Sequence, residues 1–178
     1  IPEYRVQTDP NVNPAAGLGG NMSLPTSTFA ESAVISHGEN VLVHEFGHAI
    51  KALGISQLED QSLIREYEEA FIHAKLAGLW PDTYAISNAE EFFACVSTVW
   101  FECGRESESG GTAGPVNLKS ELLIYDPLSY EFFSKIYPDE RLPEGCWNYT
   151  GRNDYLVTEA PDITEPEPPV DPDDANLP

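Results

Sequence analysis

Two histidines four residues apart, with a glutamate directly after the first, are the residues here best suited to do chemistry. They lie in the run VLVHEFGHAI, as His44-Glu45-Phe46-Gly47-His48. On a helix that spacing puts both imidazoles on one face, one above the other. Two neutral imidazoles so presented suit a tetrahedral zinc site. Glu45 beside them is a carboxylate able to take a proton from water at the metal. His-Glu-x-x-His has only three fixed positions, so its surroundings must share in the reading. Leu42, Val43, Phe46, Ala49 and Ile50 make the pattern of a buried helix. Ser36 with Glu39 three residues on fits a capping box, and Gly54 fits a stop after Lys51, so a helix is expected over residues 36–54. The competing reading is a core helix whose histidines are incidental. The expected cofactor is one zinc ion per chain.

A catalytic zinc site needs a third protein ligand and an open position. The glycine and histidine that metzincins place three and six residues after the second histidine are Lys51 and Gly54 here, which excludes that class. His37 is two turns from His44, and His73 falls on the polar side of its own helix, so both are read as structural. That leaves a carboxylate from Ser87-Asn88-Ala89-Glu90-Glu91-Phe92. Ser87 as N-cap would put Glu90 at N3, reaching back to the cap, while Glu91, rotated about 100° onward, is free to face the metal. Both could instead be partners of the helix dipole. A nearly all-apolar helix disfavours that for at least one of them, because a buried carboxylate needs a partner. Glu91 is the expected ligand.

With these residues the chain resembles the catalytic domain of the anthrax lethal factor and Pro-Pro endopeptidase family, gluzincins that hold zinc with two histidines and a glutamate. The likeness rests on HEFGHAI followed about forty residues later by Tyr84-Ala-Ile-Ser-Asn-Ala-Glu-Glu91-Phe-Phe-Ala, and it covers roughly residues 40–102. LLIYDPLSYEFF further on is similar to a group of secreted proteins with the same zinc helix. The resemblance implies that His44, His48 and Glu91 are zinc ligands and Glu45 the general base. It also implies that Tyr84, seven residues before Glu91, faces the zinc and helps stabilise an oxyanion. Taken alone, Tyr84 reads as a packing residue with a solvated hydroxyl. The chain departs from the family at Cys95, where relatives have a carboxylate one turn after the glutamate ligand. Nothing in residues 1–35 matches a substrate groove.

The elements that must position these residues are mostly helical. Leu63, Ile64, Tyr67, Ala70, Phe71, Ala74 and Ala77 recur at helical spacing over residues 60–77, closed by Gly78. Leu79-Trp80-Pro81-Asp82 reads as a turn, and Ser87 to about Glu102 as a buried helix. One or two helices are expected over residues 117–137, with a turn at Asp126-Pro127. Tyr4-Arg5-Val6 and the Gly/Pro-rich residues around it read as strand and loop. The expected fold class is therefore α+β and helix-dominated, zincin-like, with a small N-terminal sheet. Residues 1–157 are expected to form this metallopeptidase domain. Residues 158–178 are expected to be a linker or tail, since positions 159–178 hold six prolines and seven acidic residues with no lysine or arginine.

The chain has 178 residues, room for one domain with a proper core. Its 9 Lys+Arg against 30 Asp+Glu give a net charge of −21, which repels phosphate backbones and anionic membranes. Neither nucleic acid nor membrane is an expected partner; a protein or peptide substrate is, for a monomer. The glycosylation acceptors Asn21-Met22-Ser23 and Asn148-Tyr149-Thr150, the acidic balance and a start at Ile-Pro read as a processed, secreted protein. Cys103 and Cys146 could then pair in a disulfide, leaving Cys95 as a small buried residue; the competing reading is three free thiols. The function so implied is a secreted zinc-dependent endopeptidase. The alternative is a zinc-stabilised binding or inhibitor domain without catalysis.

Overall fold

A computed structural model describes residues 39–107 and 110–140, with positions 17, 18, 20, 22, 23, 28, 29, 142 and 161 besides. Five α-helices are found among them: α1 (Val41–Ala49), α2 (Ser62–Leu76), α3 (Ala89–Trp100), α4 (Lys119–Tyr125) and α5 (Pro127–Ile136). The expectation of a helix-dominated fold holds. The strands among the described residues are β1 (Gly17–Leu18) and β2 (Thr28–Phe29), antiparallel, pairing Gly17 with Phe29 and Leu18 with Thr28 beside α1. Tyr4-Arg5-Val6 and the boundary at residues 157–158 lie outside the described residues.

α3 is the helix on which the others pack. Every residue from Phe92 to Trp100 is buried, because α1, α2, α4 and α5 all lie against it. Around it the core is largely aromatic, with Tyr67, Trp80, Phe92, Phe93, Phe132 and Phe133 all at most 1% exposed. Tilted and edge-on pairs dominate, such as Trp80–Phe92 at 89° and Tyr67–Phe93 at 72°, the arrangements that aromatic quadrupoles favour. α2 contributes Ile64, Tyr67, Ala70 and Ala74, the face its periodicity predicts. Gly78 follows it at φ +69°. There Gly78 N donates to Lys75 O (3.3 Å) and Leu79 N to Ala74 O (2.9 Å), the paired bonds of a Schellman stop.

Next comes a turn that aims the chain at the site. Trp80 and Asp82 both adopt left-handed backbone (φ 60° and 59°), a conformation that costs a non-glycine residue on the order of 1 kcal/mol and needs anchoring. The anchors come from the corner between α4 and α5. Trp80 N donates to the Tyr125 hydroxyl (2.8 Å), and Trp80 Nε1 donates to Asp126 Oδ2 (3.0 Å). Asp126 also caps α5, accepting from Ser129 N (3.2 Å) and Ser129 Oγ (2.7 Å), so its fully buried carboxylate is surrounded by donors.

Three expectations about helix ends and faces are corrected. The cap of α1 is Asn40, whose side chain accepts from Val43 N at 3.3 Å, so Glu39 is not a capping partner inside the helix; Ser36 lies outside the described residues. Gly54 is not a left-handed stop: α1 gives way at Ile50 to a wider π-helical turn, Ile50–Gly54, and then to a 3-10 turn at Ile55–Gln57. Not all the apolar residues of α1 face the core. Leu42 and Phe46 are 40% and 57% exposed and border a groove of about 340 Å³ shared with Phe101, Tyr137 and Leu142. The buried side of α1 carries Val41, His44, Glu45 and Gly47 instead.

Candidate metal centre

Gly47 explains why the polar side of α1 can face α3. A Cβ at this position would come within 3.0 Å of both Ala94 Cα and Ser97 Oγ, so only glycine lets the two backbones lie this close. The approach carries His44 and His48, one helical turn apart, to the first turn of α3. That turn is capped by Asn88, not Ser87: Asn88 Oδ1 accepts from Glu90 N (2.9 Å) and Glu91 N (3.0 Å). The cap therefore lies one residue later than expected, and Glu91, not Glu90, occupies N3. Glu90 turns to Lys51, with Lys51 Nζ 2.6 Å from Glu90 Oε1. Glu91 turns to the histidines.

His44 Nε2 lies 3.1 Å from Glu91 Oε2 and 3.1 Å from His48 Nε2, and His48 Nε2 lies 3.5 Å from Glu91 Oε2. These three atoms could hold a metal ion. The donor set can be tested against zinc. Nitrogen and oxygen ligands at about 2.0–2.1 Å from a tetrahedral ion stand about 3.3 Å from one another, and the observed separations fall on either side of that value. His44 is buried, whereas His48 and Glu91 are partly open, so the group has a solvent side.

A second trio, Glu39, His44 and Cys95, is fully buried and could likewise hold an ion. It uses the other ring nitrogen: His44 Nδ1 is 2.9 Å from Glu39 Oε1 and 3.9 Å from Cys95 Sγ. Burial disfavours charge on His44, but Glu39 and Glu91 outweigh it and raise the imidazole to about 10. Burial also opposes ionisation of Glu91, yet its bonds to His44 and His48 hold it well below the usual carboxylate range. Glu45 moves the other way. It is 6% exposed, and burial pushes its carboxyl upward against the pull of the two histidines.

Tyr84 stands at the open edge, 51% exposed, its ring stacked 6.2 Å from that of His44. Burial of the phenol, and then the charge and hydrogen bond of Glu91, hold its hydroxyl above its ordinary range. Its backbone is pinned from a glycine loop, with Tyr84 N donating to Gly111 O (2.8 Å) and Ala85 N to Thr112 O (3.0 Å).

The fold thus brings together His44, Glu45, His48, Tyr84 and Glu91. His73 is in neither trio, and His37, Asn21, Asn148 and Cys146 lie outside the described residues. Cys103 is buried, its thiol 3.4 Å from Thr98 O. Glu39 is the residue that sequence reasoning missed. The available signal was a carboxylate immediately before the asparagine cap, five residues ahead of His44. No protein-family model, curated protein or solved structure matches the chain.

Proposed function

We propose that the chain is a secreted zinc-dependent endopeptidase of gluzincin type, with His44, His48 and Glu91 as ligands. The reading rests on one observation: three acceptor-capable atoms converge at 3.1–3.5 Å beside a buried glutamate, and open toward solvent at a tyrosine hydroxyl. The His44–His48–Glu91 trio is favoured over the enclosed one because hydrolysis needs an open position. Residues 1–157 form the peptidase domain in this proposal and 158–178 its tail. Among the described residues no helix is long and apolar enough to cross a membrane.

When bound, zinc supplies a Lewis acid that polarises a peptide carbonyl and acidifies water. Glu45 accepts the proton of the attacking water on a carboxylate oxygen and delivers it to the leaving amine nitrogen. Its burial beside the two histidines places it next to the ligands, where such a shuttle must stand. Tyr84, kept protonated, donates from its hydroxyl to the oxygen on which negative charge develops.

The test is zinc content by mass spectrometry, together with cleavage of a mixed peptide library. Wild type should carry one zinc and cleave; Glu45→Gln should keep the zinc and lose turnover by on the order of a thousandfold. Retention of biological activity by that variant would favour the non-catalytic binding domain.

A further inference from the structure

We infer that Glu39 is a positioning residue for the metal centre: it holds His44 in the tautomer and orientation that present Nε2 to zinc. The inference rests on the zinc reading above and on geometry alone. An imidazole can ligate through Nε2 while neutral only if its proton sits on Nδ1, and a buried N–H needs an acceptor. Glu39 Oε1 is that acceptor, 2.9 Å from Nδ1. Cys95 Sγ, at 3.9 Å, is too far and too weak an acceptor to replace it.

Glu39 is itself held at both ends. The Thr98 hydroxyl, shared with the Cys95 carbonyl at 2.7 Å, lies 3.2 Å from Glu39 Oε2. The backbone of Glu39 is bridged to Gly104, and Asn40 N donates to Cys103 O at 2.8 Å. The segment ahead of α1 is thus stitched to the segment that follows α3, and a carboxylate from outside both helices reaches the seam between them. Capping of α1 does not need it, since Asn40 does that. At 7% exposure, Glu39 is screened from water, which strengthens its hold on the ring.

The experiment measures zinc affinity by chelator competition, with visible spectra of the cobalt-loaded protein as a second readout. Glu39→Ala should bind zinc ten- to hundredfold more weakly. Glu39→Gln, which keeps an acceptor oxygen without the charge, should fall between it and wild type, and it carries the test if the alanine variant does not fold. Adding Cys95→Asp should restore most of the affinity, because position 95 approaches the same nitrogen. A residue that served only the fold would lower the unfolding midpoint without this rescue. Wild-type affinity in both Glu39 variants overturns the inference and leaves the zinc reading standing. Two metal ions per chain, or a cobalt–thiolate band that vanishes in Cys95→Ser, would overturn it by making Glu39, His44 and Cys95 a site of their own. Absence of zinc binding by wild type removes both.

Discussion

Asp126 and Glu91 are carboxylates at the N-terminal ends of two helices in one domain, and their surroundings differ in kind. Asp126 faces Ser129 N, Ser129 Oγ and Trp80 Nε1, all donors. Glu91 faces two imidazole nitrogens that are also turned toward each other, 3.1 Å apart. The first set of partners is complete without anything added and fixes a corner. Without an ion, a proton on His44 holds the second set together; with that proton displaced, three lone-pair-bearing atoms are aimed at a common point, and a metal cation can take the proton's place. The two carboxylates differ in burial, Asp126 enclosed and Glu91 partly open, and also in the kind of partner that each meets.

The largest effect expected from breaking this comparison is at the structural carboxylate. Asp126→Ala removes a helix cap and leaves the Trp80 indole N–H and the Ser129 groups buried without an acceptor, a loss of about 3 kcal/mol in denaturant unfolding. Zinc affinity per folded molecule should stay at the wild-type value. Glu91→Ala should do the reverse, weakening zinc by at least a hundredfold, about 2.7 kcal/mol, while the unfolding midpoint in chelator hardly moves. If the two variants lose stability alike, the distinction between the carboxylates collapses.

Gly47→Ala probes what brings the second set together. The added methyl meets Ala94 Cα, which cannot swing aside as a side chain would, so α1 and α3 must separate slightly. A cost of about 1–2 kcal/mol is expected after the gain in helix propensity, with a measurable fall in zinc affinity. A gentler probe is pH. Glu39 and Glu91 raise His44 to about 10 against the opposing effect of burial, so below that pH zinc must displace a proton from its ligand. Apparent affinity should therefore rise with pH, by about tenfold per unit for one proton through the neutral range, in chelator competition.

The four-residue spacing of His44 and His48 was legible because a helix converts it directly into adjacency. α2 was equally legible, since Ile64, Tyr67, Ala70 and Ala74 mark one face that packs. Glu91 is more instructive. It was separated from Glu90 by supposing a cap at Ser87, whereas the cap is Asn88, and what distinguishes the two is that Glu90 finds Lys51 across the gap between helices. No local rule encodes that meeting. Glu39 was hidden for the opposite reason: Ser36, three residues before it, offered a complete local explanation. The orientation of α1 runs against its apolar pattern at Leu42 and Phe46, although apolar residues usually mark the buried side. Here the requirement for Gly47 to touch α3 outweighs them and leaves Phe46 on a groove wall.

Cys95 and Cys103, both fully buried, lie on either side of Thr98 in the same packed seam. Burial pushes both thiols upward, so few of them are thiolate at neutral pH, and an alkylating reagent reaches either sulfur only when the helices part. The domain thereby carries its own clock for breathing motions: the rate at which each cysteine acquires a label counts the openings of the seam around it. A ligand that ties α1 to α3 should slow that clock at Cys95, with no probe attached to the site itself.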